Sequence, residues 1–185
     1  GNSLEPGAVS FTNVVDGDAV VASATVDTSA TSTSGNPVAG TYTQTAATSL
    51  TGTDAANYTF ASFTTDTENY TIEQRDLTGA DIAAASSTYG NSLEPGAVSF
   101  TNVVDGDAVV ASATVDTSAT STSGNPVAGT YTQTAATSLT GTDAANYTFA
   151  SFTTDTENYT IEQRDLTGAD IAAASSTYGN SLEPG

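Results

Sequence analysis

Hydrophobic and polar positions alternate along this chain in short bursts separated by turn residues. No stretch holds an apolar period of 3.6 residues over helical length, so the pattern predicts strands. Residues 8–12 place Val9 and Phe11 on one face. Asp16, Gly17 and Asp18 form a turn signal, because Asp and Gly tolerate left-handed backbone. A second strand is predicted over 19–26, with Val20, Ala22, Ala24 and Val26 on one side. Residues 28–37 are small and polar, a loop with nothing to bury. Residues 40–46 alternate strictly, setting Tyr42 and Ala46 opposite Thr41, Thr43 and Thr45. After a turn-rich connector at 50–57, residues 58–63 carry aromatics on both faces and read as a central strand. A turn at 66–69 leads into an alternating strand at 70–74. Residues 77–89 are predicted to be extended, since Ile82 and the alanines after it favour helix over too short a run.

The whole pattern then repeats. Gly1 to Tyr89 recurs letter for letter as Gly90 to Tyr178, and the last seven of the 185 residues restart it. One 89-residue period suits one small domain. The expected architecture is all-β: tandem small antiparallel domains, each an immunoglobulin-like sandwich or a β-grasp-like fold. The most charged join, Glu73 to Asp76, follows a strand and marks the domain boundary. On that phase, residues 75–163 form a complete domain, residues 1–74 lack their first strand, and residues 164–185 hold that strand and a turn. Residue 1 stands in mid-motif and no signal peptide lies within these residues, which reads as an excerpt of a longer array. The alternative is strand exchange, in which Leu166, Ile171 and Tyr178 of the tail complete a neighbour's head.

Composition narrows the chemistry. The chain has no Cys, His or Lys, which excludes thiol and imidazole chemistry, Schiff bases and the P-loop. Two Arg against 21 acidic residues give a net charge of −19, a surface that repels nucleic acid. No apolar run approaches the roughly 20 residues of a membrane-spanning helix. Thr, Ser and Ala supply 36, 21 and 30 residues, close to half the chain, a composition that points outside the cell.

Five short motifs stand in order: Ser87-Thr88-Tyr89-Gly90-Asn91, Val103-Val104-Asp105-Gly106-Asp107, Ala128-Gly129-Thr130-Tyr131, Asn146-Tyr147-Thr148 and Asn158-Tyr159-Thr160-Ile161. This succession resembles the MBG/YDG type of surface repeat over essentially the whole unit. The chain departs from that pattern in its long loop at 117–126 and in a closing strand without a Gly-rich lead. The resemblance implies a small β domain strung in tandem in large bacterial adhesins, with no catalytic residues. It casts Tyr89 and Gly90 as turn residues. Gly129, Tyr131, Tyr147, Phe149, Phe152, Tyr159 and Ile161 are expected to set the turns and the core.

Candidate sites are few. Calcium, an oxygen-seeking ion, could be held near the domain join by Glu73, Asp76 and the turn that follows, with Asp16 and Asp18 of the earlier acidic turn as further candidate ligands, although no sequence motif demands it. Thr41, Thr43 and Thr45 form a ladder that could order water, but one ladder per unit is too small for an ice-binding surface. Asn57, Asn69, Asn146 and Asn158 head sequons that also suit strand starts. Carboxylate-pair hydrolysis would need a cleft that so small a domain offers little material to build. The expectation is a non-catalytic spacer of a secreted or surface-anchored bacterial adhesin or matrix fibre, without membrane insertion and partnered by neighbouring repeats or other copies of itself. The alternatives are a filament joined by strand exchange and a multivalent binder of host or matrix glycan through Tyr58 and Tyr70.

Overall fold

Alternating segments become strands here, but each strand is cut short where the chain changes partner. In the computed structural model, which describes residues 3–179, the first repeat contributes β1 (Val21–Val26), β2 (Gly40–Tyr42), β3 (Gln44–Thr51), β4 (Phe63–Thr64) and β5 (Tyr70–Ile72). There follow β6 (Arg75–Asp76), β7 (Asp81–Ile82), β8 (Ala85–Thr88) and β9 (Val98–Ser99). The second repeat then gives β10 (Val110–Val115), β11 (Gly129–Tyr131), β12 (Gln133–Thr140), β13 (Tyr147–Thr148), β14 (Phe152–Thr153) and β15 (Tyr159–Glu162). The fold is all-β, and among the described residues the only helical turns are Ala55–Asn57 and Ala144–Asn146.

Both repeats share a frame. β1 pairs with β3 and β3 with β4, all antiparallel; β10, β12 and β14 reproduce that sheet. β2 pairs antiparallel with β5, as β11 does with β15. The run 40–46 is therefore two strands. It breaks at Thr43, where the chain leaves one sheet for the other, and Ala46 alone of its apolar residues is fully buried, at the centre of β3. Three residues of β3, at 47–49, face one residue of β1, a bulge that both repeats carry.

Residues 58–63 do not form the central strand that their aromatics suggested. Ser62 and its copy Ser151 take positive φ, 79° and 85°, and each hydroxyl donates to the carbonyl of Ala46 or Ala135 at 2.5 Å. That conformation is unusual outside glycine and breaks the pleat. The aromatics then face separate partners. Phe60 meets Phe11 edge-on at 5.1 Å, and Phe149 meets Phe100 at 4.9 Å.

The two repeats differ where residues 75–88 intervene. This segment pairs entirely with the second repeat: β6 runs parallel to β13, β8 parallel to β15, and β7 antiparallel to β9. The first two are the parallel pairings in an otherwise antiparallel set of described strands. Residues 9–10 of the first repeat, identical to β9, are not a strand; among the described residues they have no counterpart of β7 to pair with.

Candidate functional site

Leu77 and Ile82 anchor the 75–88 segment, with 6% and 1% of their surfaces exposed. Burying each contributes roughly 1.5–3 kcal/mol. Side-chain amides of the second repeat clasp the backbone between them. Asn102 accepts from the Thr78 amide at 2.8 Å and donates to the Asp76 carbonyl at 2.8 Å. Asn158 donates to the Ile82 carbonyl at 2.8 Å, and Gln133 to that of Ala83 at 3.1 Å. Gln133 is fully buried, accepts from the Gly96 amide at 2.7 Å and donates to Asn158 at 2.8 Å. The seat is tight, since a Cβ on Gly96 would lie 1.8 Å from the Ala83 carbonyl oxygen.

The first repeat has the same seat without the strand. A cleft of about 250 Å³ lined by Gly7, Val9, Gln44, Phe63 and Asn69 occupies the place that Ile82 fills in the second repeat. A second cleft of about 370 Å³, lined by Phe11, Asn13, Tyr58 and Phe60, corresponds to the seat of Leu77. Phe63 is exposed there, and Tyr70 and Ile72 are only half-buried, whereas Tyr159 and Ile161 are buried under β8. The amide clasp is nevertheless in place: Gly7 donates to Gln44 at 2.7 Å, and Gln44 to Asn69 at 2.8 Å.

Two residues, Glu73 and Gln74, separate β5 from β6, so successive repeats abut. The small polar loop of the first repeat, read from sequence as having nothing to bury, forms the contact through its backbone amides. Thr33 donates its amide to Asp143 at 2.9 Å, Ser34 to Asp107 at 3.1 Å and Ala39 to Asn146 at 2.8 Å. Gln74 donates to the Ala145 carbonyl at 2.8 Å. The loop can do this because its own hairpin is closed by Ser32 donating to Asn36 at 2.8 Å and Gly35 to Ser32 at 2.9 Å, which leaves the amides between them pointing outward.

Charge at this junction follows from those donors. Backbone amides of Ala108 and Thr33 hold the Asp143 carboxyl down at about 2, from its ordinary 3.8. Burial alone would raise Asp107, but donors from Ser34, Tyr147 and Ser32 outweigh it and keep the group below its ordinary value. In the first repeat Asp54 is lowered mainly by the Ala19 amide and then by Thr53, with no donor from another repeat. The Tyr147 hydroxyl is raised by burial and by its bond to Asp107, 2.7 Å long.

The residues singled out from sequence distribute as follows. Tyr147, Tyr159 and Ile161 are core, while Tyr131, Phe149 and Phe152 are half-buried. Tyr131 donates to the Val127 carbonyl at 2.7 Å, within the Gly129 turn. Tyr89 closes the end of β8 through its amide to Glu162, 2.8 Å, and Gly90 takes φ of 84° in the turn that follows. Leu166 and Ile171 are 92% and 93% exposed, and Tyr178 is fully exposed. Glu73 and Asp76 line one open cleft beside Thr148, whose hydroxyl donates to Asp76. Asp16 and Asp18 sit apart in the turn beside Tyr58, which donates to Asp18 at 2.7 Å. Among the described residues no three acidic side chains gather as a metal site. The Thr ladder is engaged: Thr43 and Thr45 both donate to Asp27 at 2.9 Å, and Thr41 donates to Glu68. Tyr58 and Tyr70 are half-buried, and the Tyr70 hydroxyl accepts from the Glu5 amide at 3.2 Å.

Sequence reasoning missed Asp107, Asp143 and Asn146 as junction residues, and Asn102, Gln133 and Asn158 as strand clasps. Asn146 and Asn158 had been noticed as sequon heads; the signal available was an amide side chain at each strand edge, where unpaired backbone needs partners. Among the described residues no helix is long and apolar enough to cross a membrane. In comparisons with known protein families, curated proteins and solved structures, the chain matches none.

Proposed function

We propose that this chain is a non-catalytic structural repeat, a spacer that extends a bacterial surface adhesin or extracellular matrix fibre. The supporting observation is the junction between repeats: a two-residue connection, with Thr33, Ser34 and Ala39 of one repeat bonded to Asp107, Asp143 and Asn146 of the next. Because the repeats are identical, the same contact can recur at every join and fix one angle along an array. Each repeat carries a net charge of about −9 (one Arg against ten acids), which keeps identical neighbours from associating at random. A stiff acidic rod whose length scales with copy number is what a stalk requires.

Small-angle X-ray scattering on chains of increasing copy number tests this. The expected result is a rod whose maximum dimension grows in proportion to the number of repeats, and whose stiffness falls when Asp107 and Asp143 are both replaced by Ala. Scattering of freely jointed beads, unchanged by those substitutions, would overturn the reading.

A further inference from the structure

The strand β15 lies between β11 and β8 in one sheet. β8 stands near the start of the 89-residue period 75–163 and β15 at its end. The two run parallel, with Ala85 opposite Tyr159 and Thr88 opposite Glu162. The chain therefore enters β8 at one end of the pair and leaves β15 at the other. Tension along the chain pulls the strands in opposite directions along their own axes and loads their hydrogen bonds in shear. We propose that β8 and β15 form a mechanical clamp, and that one full period is built to carry tensile force as well as to add length. This goes beyond the spacer reading, which asks only for reach and stiffness.

The physical argument is load sharing. In shear, β8 cannot slide until every rung along it gives way together, whereas strands drawn apart from one end lose their rungs one at a time. Forced unfolding is governed by the unfolding rate, so a step that must break more bonds at once resists more force. The outer rungs are the Ala85 amide donating to the Asn158 carbonyl at 3.2 Å and the Tyr89 amide donating to that of Glu162 at 2.8 Å. Tyr159 and Ile161 are buried and close one face of the pair to water, which would otherwise replace a broken bond. The residues ahead of β8 are anchored too. β6 lies parallel to β13, Leu77 and Ile82 are buried, and Asn102, Asn158 and Gln133 hold the backbone from Asp76 to Ala83. A pull arriving through Gln74 meets these anchors before it reaches β8.

The direction of pulling separates a clamp from a domain that is merely stable. The chain has no Cys, so a pair of introduced cysteines defines where force is applied. Ala84→Cys with Gln163→Cys puts the handles at opposite ends of the β8–β15 pair. Ala84→Cys with Thr156→Cys puts them at the same end, just ahead of each strand. All three positions are exposed. Optical-trap stretching of the full chain through these thiols is expected to need several-fold more force in the first geometry than in the second, at one loading rate. Each rupture should lengthen the tether by up to about 250–280 Å as the residues between the handles extend. Chemical denaturation without load should give the two variants equal stability. Ala85→Pro removes the rung to Asn158 at the first residue of a strand, where Pro is tolerated, and should lower the force in the first geometry. Circular dichroism checks folding; should Ala84→Cys disturb it, Glu73→Cys takes its place against the same two partners, and should Ala85→Pro do so, the comparison of directions decides. Equal forces in the two directions, or a force in the first geometry that a folded Ala85→Pro chain leaves unchanged, would overturn the inference. Neither result bears on rod stiffness, so the spacer reading is tested separately.

Discussion

The backbone amide of Thr33 donates to the Asp143 carboxylate across 2.9 Å, joining residues 110 positions apart in two successive repeats. Thr33 has its copy in Thr122, and Asp143 has its copy in Asp54, so the pair is made of letters that every repeat carries. It forms where one repeat's loop meets the next repeat's connector.

That bond makes the junction acid-sensitive. The Asp143 carboxyl lies at about 2 in the folded chain against its ordinary 3.8. A depressed carboxyl stabilises above the unfolded value and loses its contribution as pH falls through the folded one. The junction is therefore expected to hold at pH 5 and to weaken between about 4 and 2. Scattering across that range should show the repeats uncoupling; Asp143→Asn, which cannot titrate, should loosen the junction already at neutral pH and flatten its acid dependence, whereas Asp54→Asn should leave the junction and its acid dependence unchanged.

Ile82 and Ile171 offer a matched pair with one sequence context and two environments. Ile82→Ala removes a buried side chain and is expected to cost about 2–5 kcal/mol, read as an earlier chemical unfolding of the second repeat. Ile171→Ala in dilute chain should stay within about 0.5 kcal/mol, as exposed substitutions do. Similar losses at both sites would contradict the burial difference of 1% against 93%.

Gly141 takes φ of 112°, and a Cβ there would stand 2.3 Å from the Ala108 carbonyl oxygen. Gly141→Ala is expected to destabilise the second repeat by about 1–3 kcal/mol from backbone strain alone, with the clash adding to it. Thermal melting against Gly124→Ala, where φ is 80° but no atom lies within 4 Å, separates the clash from the strain.

The Ser87 hydroxyl is buried in β8 and has no hydrogen-bond partner among the described residues. Ser87→Ala removes that unpaired group and is expected to stabilise the second repeat by up to about 1 kcal/mol. A lower melting temperature would show that the hydroxyl finds a partner in solution.

The calcium expectation carries a direct check. Glu73 and Asp76 share one open cleft, while Asp16 and Asp18 lie in a separate turn. With these four not gathered, added millimolar calcium is expected to leave the melting temperature unchanged.

Much of the strand pattern was legible because burial imposes a period of two. Ala22, Ala24 and Val26 share a face in β1 as their spacing required, and the closing strand held Tyr159 and Ile161 inward. Residues 58–63 misled because a strand with aromatics on both faces looks buried on both sides. The break comes from the positive φ at Ser62 and Ser151, which serine does not announce. The loop at 28–37 was illegible as a contact, because it binds through backbone amides and any sequence supplies those.

The sequence alone determined that the chain is an all-β tandem array, that it lacks thiol and imidazole chemistry, and that whatever one repeat can do its copy can also do. It could not say which copy does so. Leu77 and Leu166 are one residue of the repeat, yet one is 6% exposed and the other 92%. Tertiary structure decided between them because burying a strand needs a groove as well as a strand. Residues 75–88 pair with strands of the second repeat, whereas Leu166, Ile171 and Tyr178 are exposed.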